Sequence, residues 1–506
     1  MDLAILFRTA RHLKLSQLFF QIKYRVTKPA FVALCASASE RSCLKTVPIA
    51  KPRCSEGERF TFLNLEHEFA GWNFSDLGSL WTYNQNYFDW LNQEGSSTES
   101  VIWIDRFIND ILSYPEKAGM ALDPYPIALR SINWIKYFSR FPECATPARL
   151  NALWSQVKLL ERKLEWHLMA NHLLEDAYAL YIASAFFGDA LLLRKASRLL
   201  KDQLEEQILP DGAHYEQSPM YHCILLDRLL DCCNFQPDTF LAEKASRMLG
   251  HLESIVWNDR SIPLMNDSAY GIAPTPAELF DYARRLGIEW EKRPLQECGY
   301  RKLQNATFEA IVDIGAIQAT YQPGHTHADI FSYELRLEGA PVIVDTGIST
   351  YNKTARRQYE RSTKAHNTVS VGGKDSLEVW GGFRVGRRAQ VHISEDTDFR
   401  VVASHDGFGK VLHTRRFELS NDTFVVADSV SAAIPSVSFI HLAPGIEPIM
   451  ARPGVVDCQG FEIQISGADK VEIVENTVSK EYNRFEKTHV IEIYFKDSIS
   501  YSISKR

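Results

Sequence analysis

The hydrophobic positions of the chain follow two different periods, one before and one after about residue 300. From about residue 60 to 290 they recur every three or four positions, which is the period of an amphipathic helix. Thr146-Pro147 marks one helix start, and a further helix is expected from about Ala190 to the turn Pro210-Asp211-Gly212. Many helices joined by short turns, without convincing strands between them, predict a helical bundle or toroid.

After residue 300 the period changes to two, as β-strands require. Short alternating segments are separated by Gly, Asp and Asn turns: SYELRLEG, PVIVDTG, FRVVASH, DTFVVADSV, FEIQISG, KVEIVE, HVIEIYF and SISYSIS. Such segments predict an antiparallel β-sandwich of two sheets. The sequence therefore predicts a basic helical extension over 1–55, an all-α domain over 56–295 and an all-β domain over 300–506.

Composition narrows the class of protein. With 45% hydrophobic and 24% charged residues among 506, the chain can form well-packed domains, and its net charge of −7 argues against a nucleic-acid partner. Nine scattered cysteines without CxxC spacing favour reduced thiols. No apolar run is long enough for a transmembrane helix or an export signal, so we expect a cytoplasmic protein, with the periplasm as the alternative.

The first residues, MDLAILFRTARHLKLSQLFFQIKYRV, mix short apolar runs with Arg8, Arg11, Lys14, Lys23 and Arg25. A basic amphipathic segment of this kind can lie on an anionic membrane surface as a peripheral contact. It can equally dock on the body of the protein, and we favour that second interpretation. The oligomeric state is left open.

Two polar clusters fall within the helical half. The first, Asn171-His172-Leu-Leu-Glu175-Asp176, crowds an amide, an imidazole and two carboxylates at a helix start, which suits either an ordinary capped helix or a reactive site. The second runs from Asp211 through His214, Tyr215 and Glu216 to Tyr221 and His222, denser in polar groups than a connecting loop needs. A tyrosine there can serve as an acid or base, although most of the 20 tyrosines are expected to pack in cores.

A third cluster lies in the strand half, in Gly324-His325-Thr326-His327, Val344-Asp345 and Ala365-His366-Asn367. His327, Asp345 and His366 together suit a structural zinc ion with a fourth position open, but a set of surface histidines explains the pattern as well. Around this cluster, residues 353–388 hold nine Lys and Arg against three carboxylates. A basic run is usually a solvated face; here it favours an anionic substrate drawn into a cleft.

Together these motifs resemble the heparinase II/III family of polysaccharide lyases. The resemblance runs from about Trp81 through most of the chain, in this order: WTYNQNYFDWL, PYPIALRSINWIKY, NHLLEDAYAL, DGAHYEQSPMYH, PLMNDSAYG, GHTHADIFSYEL with VDTG, and RSTKAHNTVSV. It implies an incomplete (α/α) toroid followed by an antiparallel β-sandwich, with the cleft at their junction. It also implies β-elimination on an acidic, uronate-containing polysaccharide, without an organic cofactor.

By the same resemblance, Tyr221 and His325 are the catalytic residues: either can remove the proton, and Tyr221 can protonate the leaving oxygen. Asn171 or His172 neutralises the substrate carboxylate. His327, Asp345 and His366 form a structural site for a divalent metal, expected to be Zn²⁺. Substrate contacts are expected from six further residues: Glu175, Arg130, Asn133, Trp134, Tyr215 and Arg361.

Two other functions are kept beside the lyase, namely a glycan-binding protein without activity and an (α/α)-toroid glycoside hydrolase, which would need two facing carboxylates. Without an export signal, we expect a role beside assembly of a bacterial surface polysaccharide.

Overall fold

The computed structural model describes residues 3–36 and 43–506. Within them twelve α-helices are found: α1 Leu3–Ala10, α2 Leu15–Val26, α3 Ser79–Tyr87, α4 Ile102–Phe107, α5 Pro124–Arg140, α6 Pro147–Lys163, α7 Ala170–Phe187, α8 Ala190–Gln207, α9 Pro219–Phe235, α10 Thr239–Ile255, α11 Pro276–Arg285 and α12 Ala355–Glu360. Helices α5 to α10 form the body of the helical half, with α7 packed against α5, α8 and α9. None of the described helices is both long and apolar enough to span a bilayer.

The predicted helices form because each presents an apolar stripe to this body. Leu150, Leu153, Val157 and Leu160 of α6 are buried. On α10 the buried face consists of Leu241, Ala245, Met248, Leu249 and Leu252. Helix α7 differs, because nearly all its side chains are buried, including Glu175. A helix hydrophobic on all sides lies at the centre of its bundle.

Two features differ from the sequence prediction. A three-stranded antiparallel sheet stands at the start of the predicted all-α region: β1 Ser55–Glu56, β2 Arg59–Phe62 and β3 Leu65–Glu68. The sequence of β2 carries the alternation typical of a strand, since Phe60 and Phe62 point into the core and their neighbours point outward. In the N-terminal extension, the helices end at Val26, and the described residues that follow lie along the helical body, where Leu34 N–H bonds Ser155.

The strand half begins with β4, after α11. Its strands are β4 Tyr300–Gln304, β5 Phe308–Asp313, β6 Tyr333–Leu337, β7 Ala340–Ile343, β8 Val369–Val371, β9 Val379–Trp380, β10 Arg384–Val385, β11 Val391–Asp396, β12 Arg400–Phe408, β13 Val411–Leu419, β14 Thr423–Val430, β15 Ser436–His441, β16 Ile449–Arg452, β17 Val455–Asp457, β18 Phe461–Ser466, β19 Lys470–Val478, β20 Glu486–Phe495 and β21 Ser498–Lys505. All eight predicted segments are strands, and the division into helical and antiparallel halves is confirmed.

These strands form an eight-stranded sheet, ordered β11-β12-β13-β14-β21-β18-β17-β16, two four-stranded sheets, β19-β20-β15-β8 and β4-β5-β6-β7, and a two-stranded sheet of β9 and β10. Alternate side chains along the strands fill one shared core, as the pattern of β12 illustrates. Tyr300, Ile311 and Ile348 of this half also pack into the core of the helical half. The two halves therefore share a firm interface, and the predicted site residues lie along it.

Candidate active site

Tyr221 and His325 meet at this interface, one from each half. Tyr221 lies in the first turn of α9, where Ser218 caps the helix by accepting the Tyr221 N–H. The Tyr221 and His325 rings lie 3.9 Å apart between centroids, and the Tyr351 hydroxyl donates to that of Tyr221 at 3.4 Å. Burial raises the pKa of Tyr221, so its hydroxyl is protonated at neutral pH. The structure therefore brings the two predicted catalytic residues together.

Asp267 holds the histidine in place. It accepts hydrogen bonds from His325 Nδ1 at 2.9 Å and His327 Nε2 at 2.7 Å, and Arg357 grips both its oxygens. Burial by itself would raise the pKa of Asp267, but Arg357 and the two histidines hold it well below its usual range. An ionised carboxylate only accepts, so Nδ1 of His325 carries the proton. In the neutral imidazole with this tautomer, the lone pair is on Nε2 of His325, as a base requires.

Asn171 faces that lone pair from the start of α7. Its amide nitrogen lies 3.3 Å from His325 Nε2 and donates to the Glu216 carboxylate at 2.9 Å. Burial raises the pKa of Glu216, although His325 and the Asn171 hydrogen bond oppose this. Because both oxygens of Glu216 face the amide nitrogen, the NH₂ group of Asn171 is turned toward His325.

His172, which is partly exposed, and Glu175, which is buried, follow on the same helix. His172 Nδ1 is 3.2 Å from Glu165, and its ring contacts Tyr125. Burial would lower the pKa of His172, but Glu165 raises it overall. Burial raises the pKa of Glu175 to about 7, and neither of its oxygens has a hydrogen-bond partner among the described residues. Glu175 lines a cavity of about 210 Å³ shared with Tyr87, Tyr125, Tyr482, Arg228 and Lys51.

Several of these residues are next in sequence to a residue whose backbone lies in the left-handed region. Met169 (φ 61°) and Ala170 (φ 52°) precede Asn171, Gln217 (φ 58°) follows Glu216, and Asn266 (φ 54°) precedes Asp267. Non-glycine residues of this kind cost about 1–3 kcal/mol each and persist where the surroundings fix them, often at functional sites. Here they adjoin Asn171 and Asp267, which both contact His325, and Glu216, which holds Asn171.

Three predicted substrate contacts are wrong, because the side chains are buried inside the helical half: Arg130, Asn133 and Trp134. The Arg130 guanidinium donates to Gln156 and to the carbonyls of Asn86 and Ala121. Asn133 donates to the Tyr87 carbonyl. These residues hold the segment before α5 rather than line a groove.

Tyr215 and Arg361 are also buried and hydrogen-bonded inside the protein, so their predicted substrate contacts are wrong too. The Tyr215 hydroxyl bonds that of Tyr321 at 2.7 Å, and Arg361 donates to the Thr326 carbonyl at 2.8 Å. Arg361 thereby supports the loop that carries His325. The basic segment is thus partly structural, since Arg357 and Arg361 are buried, whereas four cations remain exposed: Lys353, Lys364, Lys374 and Arg384.

The predicted metal trio is close together but does not form one ligand set. The rings of His327 and His366 lie 5.2 Å apart, and His327 Nδ1 and His366 Nε2 are buried without partners among the described residues. Asp345 instead accepts from His366 Nδ1 at 2.7 Å and from the Gly347 N–H. The two histidines therefore fit a metal as nitrogen donors, with Asp345 orienting His366 from behind.

Elsewhere in the described chain, one buried group brings three candidate ligand atoms within 4.8 Å of one another: Asp211, His251 and Cys298. This group could bind a metal ion. Its carboxylate already accepts the N–H groups of Ala213 and Cys298, which shape the turn before Glu216. In that turn, Gly212 (φ 89°) has no room for a side chain, because a Cβ would meet the Arg247 carbonyl.

Sequence reasoning missed Asp267, the Tyr351 hydroxyl and the positioning role of Glu216. Asp267 lies in the polar run MNDSAYG, between buried Met265 and Ala269. A carboxylate there was a readable signal, but its partners His325 and Arg357 are 58 and 90 residues away. That separation left nothing in the sequence to join them.

Two family comparisons cover most of the chain. Residues 127–273 match the heparinase II/III N-terminus, and residues 288–504 match the heparinase II/III-like C-terminal family. With the toroid, the sandwich and the Tyr–His site between them, these matches define the class, a polysaccharide lyase. The chain belongs to the heparinase II/III family, as its motifs predict.

Solved structures agree on the fold. A crystal structure of heparinase III aligns with a TM-score of 0.69 at 15% identity, covering 96% of this chain and 88% of that one. Heparan sulfate lyase HepC from Pedobacter heparinus aligns with a TM-score of 0.55 at 15% identity, covering 97% and 87%. No curated protein matches the sequence.

Proposed function

We propose that this lyase cleaves a uronate-containing polysaccharide by β-elimination, with His325 as the base and Tyr221 as the acid. The observation that carries the proposal is the pair of rings 3.9 Å apart, with His325 Nδ1 bound to an ionised Asp267. One group thus holds a lone pair and the other a proton, at the same point of the cleft. An elimination needs both.

The proposed reaction moves one proton in and one proton out. His325 Nε2 takes the C5 proton of the uronate, the C4–O4 bond breaks, and a C4–C5 double bond forms. The Tyr221 hydroxyl gives its proton to the departing O4. Asn171, held by Glu216, donates to the uronate carboxylate and stabilises the charge that builds up on it.

The cavity that Glu175 lines meets the pair through Tyr482, whose ring packs on Tyr351, the hydrogen-bond partner of Tyr221. Tyr87 and Tyr125 offer flat faces to sugar rings, and the cations of the lining, Lys51 and Arg228, pair with Asp89 and Asp227. We propose that an acidic sugar occupies this cavity. Heparinase III and the heparan sulfate lyase, which share the fold, make heparan sulfate the first substrate to test.

A glycoside hydrolase is not favoured. Asp267 is fully engaged with Arg357 and two histidines, and Glu216 is held by Asn171. Asp176 accepts the Glu165 N–H inside the helical core. These carboxylates do not face each other across an open space, as hydrolysis requires.

We also propose a structural divalent metal, zinc by its donor type, at His327 and His366. The two unpartnered buried nitrogens support it. A bound ion would fix the loop that carries His325. The ion would take no part in the reaction steps. The cytoplasmic location, with the periplasm as the alternative, stays a prediction.

The test compares two readings of the same digest. Purified protein is incubated with heparan sulfate, other polyuronates and a neutral glucan, and new reducing ends are counted beside the ultraviolet absorbance of unsaturated uronate. β-Elimination yields one absorbing double bond per new reducing end, on acidic substrates alone. Reducing ends without absorbance would mean hydrolysis, and binding without either signal would mean a glycan-binding protein.

A further inference from the structure

The helices α1 and α2, here called the N-terminal helical pair, expose apolar side chains that the lyase site does not use. Of the 20 large hydrophobic residues exposed in the described chain, nine fall within residues 3–36. On α2 they form one stripe: Leu15, Leu18, Phe19, Ile22 and Val26. Positions three or four apart share one face of a helix, so this stripe points to solvent as a unit.

The opposite face of the pair is firmly attached. Gln17 of α2 donates to the Leu168 carbonyl at 3.1 Å, and the Phe20 ring stacks on Trp166. Arg8 of α1 pairs with Glu378 at 2.6 Å in the strand half. The helices therefore dock through polar and aromatic contacts and leave their most apolar face outside, the reverse of the usual arrangement in a globular protein.

Charge identifies what covers this face. Between Asp2 and Glu40 the sequence has six Lys and Arg and no carboxylate. Within the described part of the chain, four of these cations have no carboxylate partner: Arg11, Lys23, Arg25 and Lys28. In a symmetric dimer the face would meet its own copy, and the cations would repel one another. Apolar side chains flanked by cations suit the interface of an anionic bilayer.

We propose that the N-terminal helical pair binds the surface of anionic membranes, with its apolar stripe inserted between headgroups and its cations on the phosphates. This inference is independent of the lyase chemistry. It places the enzyme at a lipid surface as a peripheral protein.

The test uses the full chain and flotation with two vesicle types, phosphatidylcholine alone and phosphatidylcholine mixed with phosphatidylglycerol. We expect binding to the mixed vesicles, weakened by salt, and little binding to the neutral ones. Each surface cation contributes about fivefold to such binding, so Lys23→Glu with Arg25→Glu should weaken it by well over tenfold. Phe19→Glu with Ile22→Glu should abolish it.

Matched controls come from exposed residues elsewhere. Leu191→Glu on α8 and Arg452→Glu on β16 place a glutamate at an exposed apolar and an exposed basic position away from the pair, and both should bind as wild type does. Turnover should be unchanged in all these variants, which shows that they fold. Equal binding to both vesicle types, or equal loss in the controls, would overturn the proposal. So would a protein that ignores vesicles and forms a dimer that Phe19→Glu with Ile22→Glu dissociates.

Discussion

Two regions of the molecule contain nearly the same set of residues, a buried aspartate held by an arginine and a histidine. At the cleft, Asp267 binds Arg357, His325 and His327. Inside the strand half, Asp428 binds both arms of Arg415, at 2.6 and 2.7 Å, and His413 Nε2 at 2.8 Å. In both regions the arginine and histidine hold the pKa of the aspartate below its usual range against the effect of burial.

The regions differ in what the second nitrogen of the histidine meets. His413 Nδ1 contacts His405 Nε2 at 3.1 Å, and His405 Nδ1 accepts the Gly407 N–H. This series of hydrogen bonds therefore ends at a backbone group. His325 Nε2 instead faces Asn171 beside the Tyr221 ring, where the proposed reaction takes place. In this proposal the same set of residues serves structure in one place and chemistry in the other. Asp428 provides a matched control for every variant of the cleft.

The largest contrast is expected between His325→Ala and His413→Ala. Removing the base should lower kcat by about 10²–10⁴-fold with little change in melting temperature. His413→Ala leaves a cavity in a fully buried core as well as removing a partner of Asp428, so it should melt earlier and keep its turnover per folded molecule. Activity assays beside melting curves check both, and comparable losses of kcat in the two variants would erase the distinction.

Asp267→Asn and Asp428→Asn test the carboxylates in the same way. An asparagine at 267 no longer selects the His325 tautomer with the proton on Nδ1, so kcat should fall about 10²-fold or more and its pH profile should shift. Asp428→Asn breaks a buried ion pair and should cost about 3 kcal/mol or more of unfolding free energy. A kcat for Asp267→Asn close to wild type would remove the positioning role of Asp267.

His327→Ala separates the metal from the base. If His327 and His366 bind an ion, this variant should lose metal in elemental analysis and melt several degrees earlier, since a structural ion contributes folding free energy. Cys298→Ser, in the other buried donor group, should keep its metal content. Metal lost from Cys298→Ser and retained in His327→Ala would move the site to Asp211, His251 and Cys298.

The smallest effect concerns salt. Exposed cations near the cleft, such as Lys353 and Arg384, act on an anionic substrate through solvent, where charges are screened over about 8 Å at physiological ionic strength. KM for a polyuronate should therefore rise several-fold with added salt while kcat stays level. The melting loss of Asp428→Asn should hardly respond to salt. A KM that does not change with salt would exclude a steering role for these cations.

Features whose sequence signal lies within one segment of the chain were predicted correctly, and features that depend on distant residues were not. The spacing of hydrophobic positions alone predicted the helices and all eight strand segments, because burial of one face repeats along each element. The motif order also placed Tyr221 and His325, and the structure joins them. Arg130 and Arg361 were misplaced because a charged residue in a motif looks the same whether it faces substrate or satisfies buried carbonyls. Asp267 was missed because its partners lie far along the chain.

The central claim, that His325 removes the C5 proton and Tyr221 protonates the leaving oxygen, is tested most directly in deuterated water. Tyr221→Phe keeps the base and lacks the acid. By nuclear magnetic resonance, its substrate should slowly lose the C5 proton signal to exchange without chain cleavage, whereas His325→Ala should show neither exchange nor cleavage. Exchange that persists in His325→Ala and disappears in Tyr221→Phe would make Tyr221 the base and contradict the account.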